Sequence, residues 1–206
     1  MKGNTQIKKT TKPSILILTK PIIYMLIRVV PVGSVPQRIL EQVCAEVEDT
    51  LKTRCRILPQ INISREAYNH FRRQYDAEKI LQKLTEIPEV KFINKETPTL
   101  LLTEYDLYYG GLNFVFGLEE PAKGAAIVSI ARLKPDFYDE RPSEEKVISR
   151  TVKEVIHEIG HNIGLEHCTR PRCVMSFSPS VNDVDLKQKT FCDECKIKMM
   201  TRGIEI

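Results

Sequence analysis

The chain of 206 residues has no uncharged apolar run long enough to cross a bilayer. Its most aliphatic stretch, Ile15 to Val32, is interrupted by Lys20, Pro21 and Arg28. The longest uncharged piece within it, Pro21 to Ile27, falls far short of the ~20 residues that a spanning helix needs. The stretch therefore reads as buried strand, and no membrane partner is expected. No small-residue cleavage site follows a convincing hydrophobic region, which disfavours secretion and makes the cytoplasm the expected compartment. A dominant charge of one sign is also lacking. The 31 Lys and Arg against 27 Asp and Glu leave a net charge of +4, with the two signs interspersed, so nothing calls for a nucleic-acid partner. Only Lys2, Lys8, Lys9, Lys12 and Lys20 cluster, and they mark residues 1–20 as a basic, flexible extension. Repeats and low-complexity segments are absent. With 42% hydrophobic residues, residues 21–206 suffice for a single domain with its own core, expected to be a monomer.

Histidine is scarce too, with four in the chain, yet three of them fall between His157 and His167. On a helix, residues four apart lie one turn above each other, so His157 and His161 can turn their imidazoles toward one metal ion, with Glu158 beside them. Gly164 can take the left-handed conformation that ends a helix, which lets the chain double back and bring His167 to the same ion. Three nitrogens on zinc leave a fourth position open, as in catalytic sites. The bland alternative is an amphipathic helix with histidines on its wet side. Against it, Ile148, Val152, Val155, Ile159 and Ile163 step by three and four and define one buried face, with His157 and His161 roughly opposite. The helix is expected to pack on one side and to offer both histidines to a cleft on the other. The zinc-binding histidine motif is met in its long form.

Four of the six cysteines follow at once: Cys168, Cys173, Cys192 and Cys195. The Cys192-Asp193-Glu194-Cys195 spacing lets two thiolates reach one ion, and Cys168 and Cys173 supply a second pair across a loop. Two disulfides, or a redox-active pair on a thioredoxin-like fold, are the alternatives. No secretory signal supports the first and no strand-helix-strand pattern the second, so a structural zinc is expected, making two zinc ions in all. Cys168 would then tie His167 to a rigid anchor.

With Met175, two residues past Cys173, these clusters resemble the archaemetzincins, a branch of the metzincin metallopeptidases. His157, Glu158, His161, Gly164, His167, Cys168, Cys173, Met175, Cys192 and Cys195 occupy the places of that family's long histidine motif, its following cysteines and its methionine. Weaker echoes lie in Gly111 to Gly117 and Ala125 to Leu133, so the likeness runs over about residues 21–206, with its specific part in the last quarter. It implies a twisted mixed sheet packed on the active-site helix. It also implies an N-terminal subdomain of about residues 21–164 and a small zinc-stapled C-terminal subdomain of about residues 165–206, whose turn at Met175 forms a floor beneath the catalytic zinc. Some metzincins carry a tyrosine two residues after this methionine. Phe177 stands there in this chain, so a phenol that could stabilise an oxyanion is missing at that spot.

Elsewhere the pattern predicts a helix over Pro36 to Lys52, a short strand over Cys55 to Leu58, and a second helix over Ser64 to Leu84. Strands are expected at Lys91 to Ile93, Leu100 to Tyr109, Asn113 to Phe116 and Ala125 to Leu133. That order reads as α+β. Cys44 and Cys55 are expected as separate buried residues, a disulfide between them being the less favoured alternative. His70 is expected to be an ordinary surface histidine.

If zinc sits on His157, His161 and His167, it activates a water and polarises a substrate carbonyl, while Glu158 serves as general base. The expected reaction is hydrolysis of a peptide bond, with a peptide as substrate. Ala125 to Leu133, and in particular Ala126, Ile127, Val128 and Ser129, is the candidate edge strand on which a peptide could pair, an ordinary inner strand being the alternative. The same ligands could instead hold a zinc that shapes a non-catalytic protein-binding module. Glu158 argues for the enzyme, because a purely structural site gains nothing from a base beside an open coordination position.

Overall fold

The computed structural model describes residues 26–84, 90 and 97–204. A five-stranded sheet has the order β2-β1-β5-β8-β7, formed by β1 (Leu26–Val32), β2 (Arg54–Ile57), β5 (Thr99–Thr103), β7 (Gly117–Glu120) and β8 (Ala125–Ser129). Its first four strands run parallel, and β7 pairs antiparallel with β8. Successive residues of a strand point to opposite faces, so these strands feed two cores. Ile27, Val29, Leu100, Leu102, Ala126 and Val128 join one, shared with α1 (Gln37–Leu51) and α3 (Glu144–Asn162). Val30, Val32, Leu101 and Ile127 join the other, closed by α2 (Ala77–Lys83). Burial on both faces is why β1, β5 and β8 read as near-continuous apolar runs.

Helix α1 buries Ile39, Leu40, Val43, Cys44, Val47 and Leu51, the set that its spacing predicts. After it, α4 (Val181–Leu186) and α5 (Asp193–Thr201) follow α3. Leu165, Val174, Met175, Val181, Phe191 and Met199 complete the first core, so the residues after Gly164 share that core and do not build one of their own. None of the helices among the described residues is long and apolar enough to cross a membrane.

Several expectations are corrected. Ser64 to Leu84 is helical only from Ala77. Before it come a single 3-10 turn at Arg65–Ala67 and the hairpin β3 (Tyr68–Asn69) and β4 (Gln74–Asp76). Asp76 caps α2 by accepting from the Lys79 N–H, and Arg73 turns the hairpin at φ 55°. β4 finds a partner in β6 (Leu107–Tyr108), and this long-range pairing overrides local helix preference. The predicted strand from Leu100 to Tyr109 is thereby split in two. Thr103 Oγ1 accepts from the Tyr105 N–H at the bend, and β6 leaves for the second sheet. Asn113 to Phe116 forms only an isolated bridge, Val115 with Leu107. Cys44 and Cys55 form a disulfide, because the tight connection after α1 brings their Cα atoms to 5.4 Å. The segment Ala126, Ile127, Val128 and Ser129 is not an edge: β8 is paired on one side with β5 and on the other with β7. A hairpin turn after Glu120 folds β7 outside it, so β7 is the edge. The predicted extension at residues 1–20 and the strand at Lys91 to Ile93 lie outside the described residues.

Candidate active site

Helix α3 starts on Ser143, whose hydroxyl accepts from the Lys146 N–H, with Glu144 and Glu145 complementing the helix dipole. It stops at a left-handed glycine. Gly164 has φ 91°, its N–H donates to the His161 carbonyl at 2.8 Å, and the Leu165 N–H donates to the Gly160 carbonyl at 2.9 Å. This pair of bonds is the Schellman arrangement, which turns the chain back on itself. His157, His161 and His167 are brought together as a result, their nearest ligand atoms all within 4.8 Å of one another.

The hydrogen bonds of the first two imidazoles dictate their tautomers. His157 Nδ1 donates to the Val174 carbonyl and His161 Nδ1 to the Leu165 carbonyl, each at 2.8 Å. A carbonyl only accepts, so the protons sit on Nδ1 and both Nε2 atoms carry lone pairs. Those two atoms lie 3.1 Å apart. Facing lone pairs at that distance fit a shared cation. Burial, then the charge of Lys187 and the neighbouring His161, push the basicity of His157 well down and keep it neutral, the form that binds metal. His157, 5% exposed, and the partly buried His161 face the cleft, and the exposed His167 completes the site from the solvent side.

Glu158 is buried beside them, and burial raises its carboxyl well above the usual range, with Glu119 and Glu154 pushing the same way and Lys187 opposing. Its Oε2 has no hydrogen-bond partner among the described residues. Its carboxyl group packs against Gly117 of β7 so closely that a Cβ there would overlap it. These residues open on a cleft of about 350 Å³ whose walls include Leu112, Phe114, Leu118, Glu119, Phe177 and Pro179. Phe177 is 61% exposed, its ring 5.1 Å from that of His167, and it brings no hydroxyl to the site. Met175 is fully buried against α3, filling the space that a side chain at Gly160 would need.

The four cysteine sulfurs also converge. Cys168 and Cys192 lie 3.8 Å apart and Cys173 and Cys195 3.7 Å, too far for disulfides. They match the edge of about 3.8 Å of a tetrahedron of thiolates at ~2.3 Å from zinc. The Cys168 N–H donates to the Met175 carbonyl, and the adjacent Val174 carbonyl accepts from His157, so one segment touches both clusters. His70 stacks edge-on against Tyr68, far in sequence and role from either cluster.

Sequence reasoning missed three neighbours of the site. Glu119 and Gly117 arrive by the pairing of β7, which no local pattern reveals. The third is a buried pair, Lys187 with Glu154, 2.8 Å between Nζ and Oε1 and outside hydrogen-bond alignment. Glu154, one turn before Glu158 on α3, was the available signal.

The sequence pattern described as Peptidase family M54 matches residues 15–201. The chain is 41% identical to the archaemetzincin of Methanocaldococcus jannaschii over 185 residues, covering 90% of this chain and 98% of that protein. It is 38% identical to the archaemetzincin of Pyrococcus furiosus, covering 86% and 93%. Among solved structures it resembles a zinc-dependent peptidase from Methanocorpusculum labreanum at TM-score 0.77 and 33% identity, covering 84% of this chain and 99% of that one. The archaemetzincin of Archaeoglobus fulgidus, complexed with malonate, matches at TM-score 0.71 and 37% identity with the same coverage.

Proposed function

The chain belongs to peptidase family M54, the archaemetzincins, a family of zinc metallopeptidases, and from that premise we propose that it hydrolyses peptide bonds with Glu158 as general base. His157, His161 and His167 would hold the catalytic zinc. The observation that carries this reading is the commitment of both Nδ1 protons to carbonyls, which leaves two lone pairs converging next to a buried carboxylate. Zinc bound there would supply Lewis acidity, acidifying water and polarising the scissile carbonyl.

The remaining steps belong to the chain itself. Glu158 takes a proton from the attacking water and returns it to the leaving nitrogen, a role suited to a carboxyl group whose proton affinity is raised by burial. Gly117 leaves room for that carboxyl group. Val174 and Leu165 hold His157 and His161 in the ligating tautomer. The substrate lies along β7, the sheet edge that borders the cleft through Gly117, Leu118 and Glu119, and pairs with it as an added strand. Met175 serves as an apolar floor under the imidazoles. Cys168, Cys173, Cys192 and Cys195 would hold a second, structural zinc that anchors His167 through its neighbour Cys168. The test is cleavage of a mixed peptide library by zinc-loaded, chelator-stripped and zinc-restored protein. Hydrolysis that is lost on stripping and regained with zinc supports the reading. Equal hydrolysis in all three states would refute the zinc-dependent mechanism, and none in any would move the weight to a protein-binding module.

A further inference from the structure

One wall of the cleft is a loop held from behind. Residues 109–116 leave β6, make a turn with the Leu112 N–H on the Tyr109 carbonyl, and return to bridge Leu107 at Val115. Gly110, at φ 52°, and Gly111 stand at its tip with open space around them. Adjacent glycines give such a loop many alternative conformations. Its side chains Tyr109, Leu112, Phe114 and Phe116 line the cleft opposite Phe177 and Pro179.

The loop's backbone is tied to the β3–β4 hairpin by one residue above all. Arg72 donates from a single nitrogen, Nη2, to the carbonyls of both Leu112 and Asn113, at 2.5 and 3.0 Å. Its Nε donates to Gln74 Oε1, and its guanidinium lies over the Tyr108 ring at 4.4 Å. Gln74 is buried and donates both to the Asn113 carbonyl and to Asp106. Asp106 in turn grips Arg132 through two bonds, and that guanidinium covers the ring of Phe114 at 4.5 Å. None of Arg72, Gln74, Asp106 and Arg132 lines the cleft, yet together they grip its wall at three successive residues, 112–114.

We propose that Arg72 is a positioning residue for substrate binding: from outside the cleft it fixes the 109–116 wall on which an extended peptide with apolar side chains rests. This rests on the hydrolytic reading of the same cleft. Without Arg72 the Leu112 carbonyl loses this donor and the Asn113 carbonyl keeps only Gln74, so the wall populates other conformations and its ordering must be supplied when the peptide binds. If the binding-ready arrangement falls to about a tenth of the population, apparent affinity falls about tenfold while the chemistry of the bound complex is retained.

The experiment uses zinc-loaded full chain and two probes, an octapeptide of alternating alanine and leucine and a capped leucine dipeptide. For Arg72→Ala the expected result is a KM about tenfold higher for the octapeptide and about twofold higher for the dipeptide, with kcat changing less than KM. Arg72→Lys, which keeps the charge but loses the planar stacking, is expected between wild type and Arg72→Ala. Binding of the fluorescein-labelled octapeptide is measured in parallel on Glu158→Ala with and without Arg72→Ala, and is expected to weaken by the same factor. Equal loss for both probes, a fall in kcat at constant KM, or unchanged octapeptide binding would each overturn the proposal. If wild type cleaves neither probe but octapeptide binding still depends on Arg72, the hydrolytic reading fails and the role of Arg72 stands.

Discussion

Gly117→Ala isolates the placement of the general base from metal binding and from folding. Gly117 opens β7, and a Cβ built there would lie 2.4 Å from Glu158 Oε1, against 3.4 Å for ordinary contact. The carboxyl group must therefore retreat by about 1 Å, since the helix is packed against the sheet and the shorter move is in the side chain. Displacements near ~1 Å at a reacting group lower rates by about a hundredfold, so a fall in kcat of about 10- to 100-fold is expected. Stability should change little. Loss of the glycine's unfolded-state freedom favours the variant by about 0.4–1 kcal/mol, which offsets part of the local crowding. The assay is steady-state peptide hydrolysis alongside metal content and thermal unfolding. Full activity in Gly117→Ala would refute the placement, and loss of metal would show that the substitution disturbs the imidazoles, not the base.

Other perturbations probe the scaffold. Cys192→Ser should lose the thiolate-site metal and also weaken retention at the imidazoles, because Cys168 adjoins His167; metal content measured during graded chelation checks this, and unchanged imidazole-site retention would sever the link. Replacing Cys44 and Cys55 by serine opens a short loop and should lower stability by about 2–3 kcal/mol in urea unfolding, an effect that reductant reproduces in wild type. Asp185 receives two bonds from the buried Arg150, and that hydrogen bonding holds its carboxyl below the ordinary range. Its contribution to stability is therefore complete above the unfolded carboxylate pKa and is lost as pH falls through its lower folded value. Asp185→Asn should cost about 1–2 kcal/mol near neutrality, the modest figure reflecting Asp185's exposure, and should flatten the acid limb of a stability-against-pH curve.

The convergence of the candidate metal ligands was legible because its parts are local. The four-residue spacing of His157 and His161, the turn at Gly164 and the closing Cys192 and Cys195 are consequences of helix geometry and short loops, and the structure brings each group together. What escaped depends on pairing between distant segments. A run such as Ala125 to Ser129 announces a buried strand but not its rank in the sheet. The half-exposed Gly117–Glu120 that became the edge carries almost no strand signal. Tyr68 and Tyr75 lay in a stretch with helical spacing, yet their cross-strand ring contact and the partner β6 made a hairpin there. The Cys44–Cys55 disulfide was the less favoured alternative because each cysteine reads as a separate buried residue, whereas chain geometry after α1 decided it. Arg72 was invisible for the same reason as Glu119: its partners lie 40 and 41 residues away.

The most direct test of the account is metal content at the imidazole site together with peptide cleavage in Glu158→Ala. The account predicts wild-type zinc retention with hydrolysis abolished, because Glu158 moves protons and His157, His161 and His167 hold the metal. Loss of zinc with the substitution, or cleavage that survives it, would contradict that division of roles.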